Sequence, residues 1–208
     1  MKLKTLLLTG LATLAGAMMA KADAVYSVNV VGYVNLDIPA NSFSLIGNPV
    51  SQLTNSLKNI LPGAPTGVTV YKYNGVAFSS YQKLGANWLP NGDAIFNPGE
   101  GFFVKNGTAN PVTLSFIGEV PTGTLNVSVT SGFNLLSSPV PQVGKVQTDL
   151  LLPAVNGEKI YLFRNNTYVS SQKIGAWQPS EPQVNPGEGF WYSSASSKTW
   201  SRVFNVNE

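Results

Sequence analysis

The stretch Phe43-Ser-Leu-Ile-Gly-Asn-Pro-Val50 decides the fold, because it returns ninety positions later as Phe133-Asn-Leu-Leu-Ser-Ser-Pro-Val140. Further along, Asn97-Pro-Gly-Glu-Gly-Phe102 returns as Asn185-Pro-Gly-Glu-Gly-Phe190, at an offset of 88. Self-similarity at a nearly fixed period is typical of a repeated structural unit. The chain therefore contains two copies of one module.

The repeat extends between these two motifs. Gln82-Lys-Leu-Gly-Ala86 returns as Gln172-Lys-Ile-Gly-Ala176, and small deletions in loops account for the change of offset. The two copies span roughly 33–120 and 123–206, which is nearly all of the chain after its N-terminal segment.

Within each copy, apolar and polar residues alternate with period two, which is typical of half-buried β-strands. Tyr71 and Tyr73 share one face of a predicted strand. In the second copy we expect Tyr161 and Phe163 to face the core and Leu162 to face outward. The pattern predicts an all-β protein of two tandem β modules, each folded as a sandwich or a small barrel.

One short helix is predicted in each module. In the first copy the apolar residues lie at helical spacing before Pro62, at Leu53, Leu57, Ile60 and Leu61. The corresponding segment 146–152 of the second copy ends at Pro153. Proline cannot continue a helix, so both segments are expected to be short.

Turn residues mark the strand boundaries. Pro98-Gly99 and Pro186-Gly187 suit the two central positions of a type II turn, the second of which needs a positive φ. Asn74-Gly75 indicates a hairpin, and Asn165-Asn166 takes its place in the second copy, since Asn tolerates the left-handed backbone.

Residues 1–22 have the features of a secretory signal peptide. Lys2 and Lys4 precede an apolar run over 6–20, and small residues allow cleavage after Ala22 or Ala24. The alternative is an uncleaved membrane anchor, which is less favoured because a span needs about 20 apolar residues and this run is shorter. We expect a signal peptide at 1–22, the N-terminal strand and first module at 23–122, and the second module at 123–208. The predicted location is extracellular or at the cell surface, with the periplasm as the other compartment open to an exported chain.

The charge balance changes when that segment is removed. The whole chain has 13 Lys and Arg against 10 Asp and Glu, and Lys2, Lys4 and Lys21 leave with the signal, so ten basic and ten acidic groups remain. Nucleic acids and anionic membranes require concentrated positive charge and are not expected as partners.

The chain has no Cys and no His, which excludes thiol nucleophiles, imidazole catalysis and the usual zinc sites. No cofactor, metal site or catalytic residue is predicted.

A further strand is predicted ahead of the first copy, and its apolar residues are Val25, Tyr26, Val28, Val30 and Val31. A strand of this kind must pair with something. It can complete the sheet of its own, first module. Residues 113–120 could then occupy the corresponding position beside the second module. Alternatively, it can be donated to a neighbouring subunit, as in fibres assembled by strand addition.

Two carboxylates and one acidic loop are the remaining candidates for chemistry. Glu100 and Glu188 could form the carboxylate pair of a glycosidase. Each occupies the same position of a repeated turn, however, which favours a role in the fold. Asp93 with Asn91 and Asn97 lacks the dense acidic pattern of a calcium loop, and a polar turn is the better interpretation.

Aromatic residues are the candidates for ligand binding. Trp191, Tyr192 and Trp200 enrich the second copy alone and could stack on a sugar ring. Strand alternation directs Trp191 away from its neighbours, toward solvent, the other module or a ligand. Trp88 and Trp177 occupy equivalent places in the two copies and are predicted to fill the cores.

Three motifs carry a resemblance to known proteins: Val25-Tyr-Ser-Val-Asn-Val-Val-Gly-Tyr33, the Phe-x-Leu-Ile/Leu-x-x-Pro motif at 43–49 and 133–139, and the Gly-Glu-Gly-Phe-Phe/Trp motif near 100 and 188. Together they resemble a group of secreted proteins of verrucomicrobial and related bacteria. The last two also resemble, more loosely, repeats of bacterial surface proteins that read G-W-N-L-I-S-x-P, although this chain has Phe where those repeats have Trp. The resemblance implies a secreted repeat protein and assigns no site residue.

These features predict a secreted, non-enzymatic structural or surface protein that self-associates through its N-terminal strand or forms part of the cell surface. The alternative is an extracellular carbohydrate-binding module that uses exposed aromatic residues. A hydrolase using Glu100 and Glu188 is the third hypothesis.

Overall fold

The computed structural model describes residues 30–206, and the all-β prediction is confirmed for this part of the chain. The first module contains β1 (Val31–Ile38), β2 (Phe43–Gly47), α1 (Leu57–Ile60), β3 (Val68–Tyr73), β4 (Phe78–Leu84), β5 (Asn87–Leu89), β6 (Gly101–Asn106) and β7 (Val112–Glu119). The second contains β8 (Gly123–Val129), β9 (Gly132–Ser137), β10 (Gly144–Lys145), β11 (Lys159–Arg164), β12 (Thr167–Ile174), β13 (Ala176–Gln178), β14 (Gln183–Val184), β15 (Gly189–Ser194) and β16 (Lys198–Phe204).

Each module is built from a five-stranded antiparallel sheet and a two-stranded ribbon. In the first module the sheet has the order β2-β6-β3-β4-β5 and the ribbon is β1-β7. In the second the sheet has the order β9-β15-β11-β12-β13 and the ribbon is β8-β16, with β10 and β14 forming a further short pair. The topology is therefore duplicated with the sequence, and none of these sheets closes on itself in the described part of the chain.

The core of each module lies between its sheet and its ribbon. In the first module, Phe102 and Val104 of the sheet and Leu114 and Phe116 of the ribbon belong to one buried cluster, which α1 joins through Leu57. The second module has a separate cluster of the same layout. Trp88 and Trp177 lie in these two cores, as the sequence predicts.

The two strand faces of β11 are the reverse of the sequence prediction. Ile160 and Leu162 are buried in the core of the second module, whereas Tyr161 and Phe163 lie on the opposite face and are half-buried. Alternation correctly separates the two sets, but it cannot say which set faces the core when both are apolar.

The helix prediction holds in part for the first module and is wrong for the second. The helix α1 has four residues and starts at Leu57, while Leu53 lies before it and is fully exposed. In the second module, residues 146–150 form turns instead, and Leu151 has a positive φ of 61°. The apolar residues Val146 and Leu150 are buried all the same, so the core is filled without a helix.

The predicted turns are present. Gly99 and Gly187 have positive φ angles of 93° and 73°, as a type II turn requires at its second central position. Asn165 and Asn166 both adopt the left-handed conformation, with φ angles of 52° and 57°. At the corresponding hairpin of the first module only Gly75 does so, with φ 97°.

The modules meet through pairs of contacts that are equivalent under exchange of the two copies. The amide of Gly47 donates to the carbonyl oxygen of Gly187 at 3.0 Å, and the equivalent amide of Ser137 donates to Gly99 at 2.9 Å. Such reciprocal pairs are the mark of a two-fold interface. The two modules are therefore related by an approximate two-fold axis that passes close to β2 and β9.

The N-terminal strand pairs within its own module as far as it is described. Val31 begins β1 and pairs with Glu119 of β7, and the carbonyl oxygen of Val30 accepts from the amide of Val120 at 2.8 Å. This ribbon corresponds to β8-β16 of the second module. The candidate assembly residues Val25, Tyr26 and Val28 and the predicted signal peptide lie outside the described residues.

Replacing Gly101 by Ala is expected to lower the free energy of unfolding by about 2–4 kcal/mol. A Cβ atom there would lie 2.6 Å from the carbonyl oxygen of Leu136 and 2.9 Å from its amide nitrogen, and backbone atoms cannot move aside cheaply. Urea denaturation measures the change. Gly63→Ala is the matched control, since no heavy atom lies within 4 Å of its Cβ position. Equal stabilities of the two variants would contradict the prediction.

Candidate functional site

Five aromatic side chains of each module lie on the sheet face that points away from its core. Strand register places them there: in the first sheet Tyr71 pairs with Phe103, and Tyr73 pairs with Phe78. The ten residues form a continuous surface between the modules, which we call the aromatic cleft, and they are Phe43, Tyr71, Tyr73, Phe78, Phe103, Phe133, Tyr161, Phe163, Tyr168 and Trp191.

The two sets of rings are arranged alike. The rings of Phe43 and Tyr71 have centroids 5.8 Å apart and planes inclined by 44°, and the equivalent rings of Phe133 and Tyr161 give 6.1 Å and 42°. Both pairs have the spacing of favourable aromatic contacts. The duplication has therefore retained the geometry of the rings as well as their aromatic character.

Two equivalent contacts cross from one module to the other. Tyr73 meets Trp191 at 5.0 Å with planes inclined by 74°, and Phe163 meets Phe103 at 5.5 Å with planes inclined by 79°. Each set of five rings is thus in contact with at least one ring of the opposite module.

Trp191 lies at the centre of the cleft. Its neighbours Phe190 and Tyr192 are buried in the core, so its indole points the other way, as strand alternation predicts. It packs edge-on against Phe78 at 6.1 Å and Phe133 at 5.9 Å. The sequence leaves open whether the Trp191 indole points toward solvent, the other module or a ligand, and in the structure it points toward the other module.

The cleft contains two cavities, both wide open to solvent, that correspond to each other under exchange of the modules. One has a volume of about 510 Å³ and is lined by Tyr73, Phe133, Tyr161, Tyr168 and Trp191. The other has a volume of about 480 Å³ and is lined by Phe43, Tyr71, Phe78, Phe103, Phe163, Tyr168 and Trp191. Ligand sites commonly have volumes in this range and aromatic walls.

Several of these rings remain accessible to solvent. The exposed fraction is 40% for Phe43, 46% for Phe78, 51% for Phe133 and 50% for Tyr168. A contiguous exposed apolar patch commonly marks a binding surface.

Tyr192 and Trp200, which the sequence suggests as stacking residues, require correction. Their exposed fractions are 0% and 1%, and the indole nitrogen of Trp200 donates to the carbonyl oxygen of Leu150 at 2.7 Å. Both side chains belong to the core of the second module. Neither can contact a ligand in this fold.

Tyr192 also belongs to a buried polar network that the sequence does not reveal. Its hydroxyl donates to the carboxylate of Glu158, which also accepts from Lys198 Nζ at 2.5 Å and from Ser194 Oγ at 3.0 Å. The amide of Ala195 donates to the same carboxylate at 2.9 Å. The buried charge of Glu158 is therefore paired and fully hydrogen-bonded, as a buried charge must be.

The network shifts the pKa values of both acids. Burial acts to raise the pKa of Glu158, but the hydrogen bonds from Lys198, Tyr192 and two backbone amides outweigh it and lower the pKa to about 2. Burial and the hydrogen bond to Glu158 raise the pKa of Tyr192. The first module has valines at the matching strand positions, Val68 and Val104, so this network is not a requirement of the module fold.

Glu100 and Glu188 bind groups of their own modules. Glu100 Oε2 accepts from the amide of Asn97 at 3.1 Å and pairs with Lys72 at 3.0 Å. Glu188 accepts two bonds from Arg164, at 2.6 and 2.7 Å, and this contact raises the pKa of Arg164. Both carboxylates thus stabilise their turns.

The acidic loop forms a surface ion pair. Asp93 pairs with Lys58 at 2.6 Å, and its amide donates to Asn91 Oδ1 at 3.0 Å. Within residues 30–206, no group of three or more candidate ligand side chains could hold a metal ion. In the same range, no helix has the length and apolar character needed to cross a membrane.

The sequence predicts the orientation of Trp191 but does not predict the cleft around it. The signal was present in the repeat, because Phe43, Tyr71, Tyr73, Phe78 and Phe103 all have aromatic counterparts in the second copy. An alternating aromatic face in both copies indicates either a core or a shared surface, and only the fold distinguishes the two.

A scan of protein-family models finds no match, and searches of curated proteins and of solved structures find none either. The resemblance to secreted verrucomicrobial repeat proteins stays a prediction from the motifs.

The Glu158 network predicts a loss of stability in acid. The pKa of this carboxyl is lower in the folded chain than its ordinary value of 4.5, so its contribution is complete above pH 4.5 and disappears as the pH falls toward 2. The difference corresponds to about 3 kcal/mol. At pH 7, Glu158→Gln should lower the free energy of unfolding by this amount, which urea denaturation measures. The variant should also have a flatter dependence on pH between 4.5 and 2, and an unchanged dependence would contradict the assignment.

Proposed function

We propose that the protein is an exported, non-enzymatic carbohydrate-binding protein and that the aromatic cleft is its binding surface. The observation that carries this proposal is the pair of corresponding cavities with aromatic walls, whose rings remain partly exposed. The flat apolar face of a sugar ring stacks on aromatic side chains, and large apolar pockets with few polar groups are the usual place for a small ligand.

Charge supports a neutral ligand. The chain expected after signal cleavage has ten basic and ten acidic groups. In the described chain, Lys72, Arg164 and Lys198 are each paired with a carboxylate of the same module. One further cation, Lys105 Nζ, lies 5.6 Å from the centroid of the Phe43 ring at the cleft. A phosphorylated or polyanionic ligand would need several unpaired cations there. Export is proposed on the features of residues 1–22.

Packing between the modules is the competing explanation for the aromatic rings. It accounts for the crossing contacts of Tyr73 with Trp191 and of Phe163 with Phe103. It does not account for rings such as Phe133 and Tyr168, which leave half of their surface exposed. An interface that served only to join the modules would be expected to bury its aromatic anchors.

Trp191→Ala is expected to weaken binding to a neutral polysaccharide at least about tenfold, because the central ring of the cleft is removed. Affinity electrophoresis in gels containing soluble β-glucan, xyloglucan or galactomannan measures the change. Tyr168→Ala, at an exposed ring, is a second variant with a smaller effect on folding. Tyr33→Ala is the control, since Tyr33 is 62% exposed on the outer face of β1 and away from the cleft. Equal binding by the Trp191 and Tyr33 variants would refute the proposal.

Self-assembly by strand addition is a second candidate function. One observation favours it: β1 forms a ladder only with β7 among the described residues, so its other edge has no strand partner there. Val31 and Tyr33 are also exposed on its outer face. Open edges are templates for pairing with another chain. Because Val30 and Val31 already bond to the first module, donation to a neighbour would use the residues that precede them.

Removal of residues 23–29 from the chain that begins at Asp23 tests this candidate. If the strand is donated, the longer form is expected to associate and the shortened form to be monomeric, because the donated backbone groups are gone. Light scattering after size-exclusion chromatography gives the particle mass. Monomers of both forms would exclude assembly through these residues.

A further inference from the structure

The aromatic cleft continues into a third cavity whose lining is much more polar than that of the other two. This cavity has a volume of about 490 Å³ and shares Tyr73 and Phe133 with the aromatic cavity next to it. One wall comes from the first module, at the β3–β4 hairpin and the turn around Glu100, and the other comes from β8 and β9 of the second. We call it the polar cavity.

Unused hydrogen-bonding groups line the polar cavity on both sides. Asn126 and Ser128 lie on the exposed face of β8, with the buried Val127 between them. Their backbones pair with β16, but their side chains make no hydrogen bond to other described residues. On the facing wall, Asn74 uses its Oδ1 to accept from the amides of Val76 and Ala77. Its side-chain NH₂ group therefore remains available to donate.

Glu100 adds a free acceptor without adding net charge. Its Oε2 atom accepts hydrogen bonds from both the amide of Asn97 and the ammonium group of Lys72. Its Oε1 atom has no protein partner within the described chain, while Lys72 balances the negative charge. The cavity thus presents amide, hydroxyl and carboxylate groups with no unpaired cation.

Only one of the two equivalent turns offers this arrangement. In the second module, Arg164 donates to both carboxylate oxygens of Glu188, so each of them already has a protein partner. The residue equivalent to Arg164 in the first module is Asn74, whose short side chain leaves Glu100 Oε1 open. The difference between Asn74 and Arg164 therefore places a free carboxylate oxygen beside the cleft in the first module and not in the second.

We infer that the polar cavity is a hydrogen-bonding subsite for a neutral sugar residue, adjoining the aromatic cavity where the next residue of the same polysaccharide stacks. Hydroxyl groups both donate and accept, which matches Asn74, Asn126, Ser128 and Glu100 together. An anionic sugar would place its carboxylate beside Glu100 without a free cation to bind it. This inference rests on the proposed carbohydrate-binding function.

The test is the double variant Asn126→Ala with Ser128→Ala, assayed against the same soluble β-glucan, xyloglucan and galactomannan, and against polygalacturonate. Two lost hydrogen bonds should weaken binding to the neutral polymers about tenfold. The thermal midpoint should not change, because neither side chain bonds to the protein. The control is Thr199→Ala with Ser201→Ala, since these residues pair with Ser128 and Asn126 across the same ribbon but do not line the cavity.

The outcomes separate the subsite from the function. Full binding by the Asn126 and Ser128 variant, with loss of binding by Trp191→Ala, overturns the subsite and leaves the carbohydrate-binding proposal standing. Stronger binding to polygalacturonate than to the neutral polymers overturns the assignment of a neutral sugar. If the parent protein binds none of the neutral polymers, both proposals fail.

Discussion

The close approach of two backbones beside the two-fold axis is the constraint on which the arrangement of the modules depends. A Cβ atom on Gly47 would lie 2.1 Å from the Cβ of Ser137, its counterpart in the other module. The two sequence-equivalent positions therefore cannot both carry a side chain. This explains why Gly47 and Ser137 differ between two copies of the motif that share its Phe, Leu, Pro and Val positions. The Ser137 hydroxyl then donates to the carbonyl oxygen of Glu100 at 3.2 Å, a bond that Gly47 cannot make in return.

The repeated turns make the contact reciprocal. A side chain on Gly99 would meet Val127 of the second module at 2.4 Å, and one on Gly187 would meet Leu36 of the first at 3.0 Å. Each ribbon thus packs against the turn of the opposite module. Both glycines also have positive φ, so they satisfy the turn and the close contact together. Because these contacts bring the two sheets together, the aromatic cleft is a property of the pair of modules and not of either alone.

The sequence predicts local features well and the orientation of strands poorly. Alternation, turn residues and the repeat identify the strands, the glycine turns at Gly99 and Gly187, and the buried Trp88 and Trp177. They do not identify the inner face of β11, because Tyr161 and Leu162 are both apolar and only the position of the ribbon decides which is covered. The buried bond between Glu158 and Tyr192 joins residues 34 positions apart, and no local pattern indicates such a contact.

Differences between the copies show which features the module fold needs. The core positions of Glu158 and Tyr192 are valines in the first module, and both cores are nevertheless filled. The fold therefore tolerates a large change of chemistry at these buried sites. The outward sheet faces behave differently, since all five ring positions remain aromatic in both copies although no ring of this set is part of either core cluster. Contact between the modules accounts for the rings that cross from one to the other, and the half-exposed rings are the ones for which we propose a ligand.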